Sequence, residues 1–255
     1  MKTVAPPSPP RRPERSASEP TLTFADHLEE LRRRLGVSLA VLLISVGVSL
    51  AQVKRLIGWL QRPAEPFLTR FAFFSPTEPI VAYVKVAVLF GLLLAMPVIL
   101  AQLWGFVRSA LTWRERSYGL AFVWWGSVLF AAGAAFAYFG LLPVSLRFLL
   151  GIGAGTLEPV ISIERYLSFV TTLAFWCGII FELPLIVFLL ARVGVVTPEW
   201  LRQQRPYAIL VLVITAAIVT PTTDPVNLAL MALPMLGLYE VSIWVTRVGM
   251  RRRAA

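Results

Sequence analysis

Residues 80–106 read IVAYVKVAVLFGLLLAMPVILAQLWGF, and Lys85 is the one charged side chain among them. A helix needs about 20 largely apolar residues to cross the hydrocarbon layer of a bilayer, and this stretch exceeds that length. The pattern repeats outward in both directions. Charge-free runs occupy 35–53, 86–107, 117–146, 166–181, 183–191, 206–223 and 225–239. Over 255 residues the chain is 57% hydrophobic and 15% charged, with a mean hydropathy of +0.73, whereas a soluble domain is about 25% charged. The fold class read from this pattern is an all-α integral membrane protein.

The runs resolve into six expected spans. The first covers about 35–53; the second, 80–106, is expected to break at Pro97. The third covers 118–142, ends before Pro143 and contains the small-residue stretch Ala131–Ala135, which permits close helix contact. The fourth, 165–191, carries Glu182 and Pro184. The last two, 206–223 and 226–246, are short and form a hairpin around Pro221, Asp224 and Pro225. Between the first and second spans, residues 54–79 read as an interrupted amphipathic region. With six spans both termini share a side, which then holds 17 of the 24 Lys and Arg residues. Cationic loops mark the cytoplasm, so the expected topology is N-in/C-in. The net charge of +10 is accounted for in this way, without a nucleic-acid partner.

Three segments follow from composition. Residues 1–22 form a Pro- and Arg-rich cytoplasmic tail that cannot build a core. Residues 23–247 form the membrane domain, and 248–255 a basic tail. The membrane domain opens with a capping-box pattern, Thr23 to Asp26, followed by HLEELRRRL at 27–35. Leu28, Leu31 and Leu35 make an apolar stripe, and Glu30 stands four residues before Arg34, a favourable helical pair. This segment is expected to lie at the membrane surface and run into the first span.

Glu182 is the most informative polar residue. It follows Arg165 by seventeen positions and precedes Arg192 by ten, depths of ~25 Å and ~15 Å along a helix. A carboxylate there costs several kcal/mol, about 3 on insertion scales, unless it is neutralised, paired or reached by water. It therefore reads as a site facing the bundle or a cavity, or else as a structural carboxylate bonded within the bundle. Pro184 is expected to interrupt the helix beside it. Glu115, between Arg114 and Arg116, and Glu30 place acids on the face where cations are expected; such acids suit a guanidinium. Thr197-Pro198-Glu199 reads as the cap and first turn of a small helix. Glu240 is expected to reach the interface or pair with Arg247.

Enzyme chemistry finds little material. One histidine and one cysteine, Cys177, make catalytic and metal sites unattractive, and an intrachain disulfide impossible. The glycines at 151, 153 and 155 lack the lysine of a phosphate-binding loop. No catalytic residue, metal or cofactor is expected. A proton- or cation-coupled secondary transporter survives on composition, but the chain shows no clear internal repeat and no row of intramembrane polar residues.

The chain resembles the TatC family, the polytopic subunit of the twin-arginine protein translocase. The resemblance runs from about Phe24 to Arg247. It rests on the order and spacing of HLEELRRRL at 27–35, MPVILAQLWGFV at 96–107, FAYFGLLPVSLRFL at 136–149, YLSFV at 166–170, FELPLIVFLL at 181–190, LRQQRPY at 201–207 and TPTTDPVNLALMALPM at 220–235. Departures are Ser109 where the family often has proline, Leu228 where glutamine is common, and the long tail.

The resemblance implies a receptor and core scaffold that binds the Arg-Arg signal peptides of folded proteins for export. It assigns signal binding to Glu30 and Glu115, with Arg32 and Arg34 as basic positions beside them and Phe106 and Leu111 as apolar flanks. It places Glu182, with Pro184, at an intramembrane contact surface, and gives Pro66 and Asp224 structural or functional roles in the outer loops. It further implies TatA-like and TatB-like single-pass partners, self-association within the complex, use of the proton-motive force, and residence in the bacterial cytoplasmic (inner) membrane.

Overall fold

A computed structural model of the chain describes residues 24–67, 71–108, 119–152, 160–220 and 224–254, with side chains described from 28 to 248 within those stretches. Among these described residues ten α-helices follow one another: α1 (Phe24–Ala51), α2 (Val53–Gln61), α3 (Glu78–Val107), α4 (Gly119–Phe136), α5 (Leu142–Gly151), α6 (Ile163–Phe181), α7 (Leu183–Val193), α8 (Pro198–Gln203), α9 (Arg205–Val219) and α10 (Pro225–Ala254). Extended pairing among the described residues amounts to one isolated bridge, Ala72 with Ser162.

Among the described residues, five stretches are long and apolar enough to cross a membrane: Leu28–Ala51, Glu78–Val107, Gly119–Gly151, Ile163–Val193 and Pro225–Val248. The shorter apolar helix α9 falls at the fifth of the six expected spans.

Two expectations about proline are corrected. Helix α3 runs unbroken through Pro97; neighbouring helices and local adjustment let a membrane helix tolerate the missing donor. The third span does not end before Pro143. A π turn over Ala137–Leu141 joins α4 to α5, and the helix continues to Gly151. Proline clashes with the carbonyl four residues behind it, and the wider turn relieves that clash ahead of Pro143. The interruption expected near Pro184 is present: α6 ends at Phe181, and α7 begins at Leu183 with proline in its first turn. The α7 helix stops at Gly194, whose φ of 85° is left-handed.

Close contacts set the directions of the helices. A side chain at Gly91 would meet the Val46 backbone at 2.8 Å, and one at Gly105 would meet the Arg34 guanidinium. The order is reversed along the two helices, so α1 and α3 are antiparallel. Helix α4 meets α6 where Gly133 faces the Cys177 carbonyl and Gly178 faces the Phe130 ring, the close approach that small residues permit. Starts and ends therefore collect at two poles. The head end holds the start of α1, the end of α3, the start of α4, the end of α7, and α8. The cap end holds α2 and the starts of α3 and α6.

The cap end is cross-braced. Trp59 of α2 stacks on Tyr138 at 4.4 Å between ring centroids. The Tyr138 hydroxyl donates to the Trp59 carbonyl at 2.6 Å and the Tyr166 hydroxyl to the Leu60 carbonyl at 2.8 Å. Lys85 of α3 pairs with Glu164 of α6 at 2.5 Å and also donates to Ser168. Ser162 donates to Glu78 at 2.6 Å. The main core lies behind this cap, built on Leu142, Leu167, Val170, Met231 and Met235.

Candidate functional site

The surface pair forms as the sequence suggests. Glu30 and Arg34 lie one helical turn apart on α1, and Glu30 Oε1 accepts from Arg34 Nη2 at 2.5 Å and from Nε at 3.0 Å. Both side chains are half-buried, because the guanidinium lies against Gly105 in the last turns of α3. Arg32 points elsewhere and is exposed, as is Glu29. Phe106 is half-buried next to Gly105. The start of α1 and the end of α3 thus present one carboxylate, held by an arginine, at the head end. Glu115 and Leu111 lie outside the described residues, as does the Thr23 cap.

Glu182 sits at the joint between α6 and α7. Its carbonyl accepts from Leu185 N at 3.0 Å and Ile186 N at 2.9 Å, which restarts the helix. The side chain is 4% exposed. Neither carboxylate oxygen has a hydrogen-bond partner among the described residues. Gly126 of α4 makes room for it: a Cβ there would stand 3.3 Å from Glu182 Oε2 and 2.5 Å from a Leu100 methyl. A buried carboxylate left in this state costs several kcal/mol, about 3 or more. The structure therefore holds an unsatisfied acceptor between α4 and α6–α7. Pro184 is buried beside it.

The remaining positions separate from these. Pro66 is exposed in the turn following the 3-10 turn Arg62–Ala64, at the cap end. Asp224 caps α10, accepting from Asn227 N at 2.7 Å and from the Asn227 amide at 2.9 Å. Of the two expectations for Glu240, the pairing with Arg247 is corrected: the side chain pairs with Arg205 at 2.5 Å. Arg205 starts α9 directly after α8 returns the chain to α10, an approach invisible in sequence spacing. The small helix at 198 is present, with Thr197 Oγ1 accepting from Trp200 N at 3.2 Å. Sequence reading missed Gly105, Gly126, Tyr138 and Tyr166. Their partners are remote in the chain, so no local pattern marks them.

A family model described as Sec-independent protein translocase protein (TatC) matches residues 26–234. The chain belongs to the TatC family. It is 37% identical over 239 residues to TatC of Aquifex aeolicus, covering 91% of this chain and 98% of that one. It is 35% identical over 226 residues to TatC of Carboxydothermus hydrogenoformans, covering 89% and 93%. The chloroplastic TATC of Arabidopsis thaliana is 38% identical over 237 residues, covering 93% of this chain and 70% of the relative. A crystal structure of the twin-arginine translocase receptor TatC superposes with a TM-score of 0.80 at 37% identity, covering 88% of this chain and 99% of that one. The chain is accordingly a multi-pass membrane component of the Sec-independent, twin-arginine protein translocase, a protein-transport role and not an enzymatic one.

Proposed function

We propose that this TatC chain is the signal-peptide receptor and core scaffold of its translocase. The observation that carries the reading is the Glu30–Arg34 pair seated on Gly105. A carboxylate that already accepts two N–H groups of a guanidinium, Arg34 Nε and Nη2, through one oxygen sits where the planar fork of an arginine fits, and lysine does not reproduce that fork. The signal's two arginines meet Glu30 and Glu115 at the cytoplasmic surface. Arg32 and Arg34 set the local charge, and Phe106 and Leu111 flank the site. The apolar part of the signal follows the bundle toward Glu182 and Pro184, where an unsatisfied acceptor awaits a donor from another helix.

This reading takes six spans, with α9 as the short fifth, and both termini in the cytoplasm of a bacterial inner membrane. Residues 1–22 and 248–255 are tails and 23–247 the membrane domain. Pro66 and Asp224 shape the outer face. TatA-like and TatB-like proteins are the partners, copies of the chain associate in the complex, and the proton-motive force drives transport.

The test is site-specific photocrosslinking to an Arg-Arg signal peptide from probes at positions 30, 115 and 182. Glu115→Ala is expected to reduce crosslinking from position 30, and changing the signal's Arg-Arg to Lys-Lys to do the same. Unchanged yields would remove the assigned role of Glu115. Solute uptake by the chain alone in vesicles would instead favour a cation-coupled transporter working through Glu182.

A further inference from the structure

The Glu30–Arg34 pair leaves half of its carboxylate unused. Arg34 Nε and Nη2 both donate to Oε1, and Oε2 accepts no hydrogen bond among the described residues. Glu29, exposed one position earlier, makes no ion pair among the described residues. One turn of α1 thus offers an open carboxylate oxygen and a second unpaired carboxylate. The chain itself carries a consecutive arginine pair. Arg11-Arg12 lies in PPSPPRRPERS, residues 6–16, in the tail that leads into α1. Arg12 precedes Phe24, the first residue of α1, by twelve positions. A chain of that length spans about 20 Å as a coil and up to ~40 Å when extended. Glu30 stands six residues into α1, ~9 Å along the helix axis, so the pair reaches it without strain.

We infer that Arg11-Arg12 occupies the Glu30 site when no signal is bound, one guanidinium on Glu30 Oε2 and the other on Glu29. The tail is then a built-in competitor of the signal, an inference that rests on the receptor role proposed above. Chemistry selects this segment: the guanidinium fork matches a carboxylate edge, and Lys2 and Arg15 do not form a consecutive pair. Prolines at 9, 10 and 13 bracket the two arginines. Proline fixes its own φ and restricts the residue before it, so less backbone freedom is lost when the pair is held. Displacement is built in as well. Pro13-Glu14-Arg15-Ser16 follows the pair, so the tail brings arginines without an apolar run, and a signal that brings both outcompetes it. Tethering supplies an effective concentration of about a millimolar. A contact with a dissociation constant of about 0.5 mM, weak by itself, then weakens signal binding about threefold.

The whole chain, purified in detergent, is titrated with a fluorescent synthetic Arg-Arg signal peptide. Arg11→Gln with Arg12→Gln should tighten binding about threefold, and Arg11→Lys with Arg12→Lys should give most of that gain. Lys2→Gln with Arg15→Gln removes the same charge elsewhere in the tail and should change the affinity little. A photoreactive residue in place of the exposed Arg33, one turn from Glu30, leaves Glu30 and Arg34 intact. It should crosslink to the tail around Arg12 without signal, and to the signal once that is added in excess. Unchanged affinity in the Arg11 and Arg12 variant overturns the proposal, as does equal tightening in the Lys2 and Arg15 variant or absence of the tail crosslink. In each of those cases a signal crosslinked at position 33 leaves the receptor role standing. A signal that neither binds nor crosslinks there removes the receptor role, and this proposal with it.

Discussion

Gly91 and Gly105 exclude a side chain for different reasons. A Cβ at Gly91 presses on the Val46 main chain, at 2.8 Å from both its N and its Cα. One at Gly105 presses on the far end of the Arg34 side chain and not on backbone. Overpacking against backbone costs about 1–3 kcal/mol, so Gly91→Ala is expected to lower the unfolding temperature in detergent. Gly105→Ala should cost less than about 1 kcal/mol yet displace Arg34 from Glu30 and change signal crosslinking from position 30. Equal thermal losses from the two variants would refute this division. For Glu182, Gln keeps the volume and removes the charge. Glu182→Gln is expected to leave thermal stability unchanged or higher while reducing export of a folded reporter; loss of stability with full export would reverse the assignment. The depth of Glu182 was legible in the spacing of Arg165 and Arg192. Its neighbour Gly126 was not, because the contact joins helices that only folding brings together.

Helix α2 shows what a local pattern conveys and what it conceals. Its amphipathic character is readable in residues 54–61, and Val53, Ile57 and Leu60 are buried as one stripe. The hydroxyls that hold it come from Tyr138 and Tyr166, 79 and 106 residues away from the carbonyls they reach. Tyr166→Phe removes one such bond, about 1 kcal/mol. Amide exchange in α2 should therefore quicken about fivefold, with little change in α10; uniform quickening would mean that the bond supports the whole bundle. Capping was legible at α8, where Thr197, Pro198 and Glu199 are consecutive. Pro97 and Pro143 misled because proline rules learned in water overstate its effect inside a bundle, where packed neighbours support the interrupted turn.

The apolar runs made the membrane character plain, and the order of motifs made the family plain. The partnership of Arg205 with Glu240 depended instead on how α8 turns the chain back, which periodicity does not encode. The proposed topology has a direct test. Cys177 is buried, so a single introduced cysteine reports on its own position. With both termini inside, Lys54→Cys should react with an impermeant maleimide added outside intact cells, and Glu199→Cys only after the cells are opened. Labelling of both from outside would rule out the six-span arrangement.

The bracing of α2, α3 and α6 has a mechanical corollary. Tongs riveted at one end open only at the other. Because hydroxyl, ammonium and backbone ties converge at the pole of Trp59 and Lys85, any rearrangement of the bundle is expected to leave that pole in place and to shift the helices most at the opposite one.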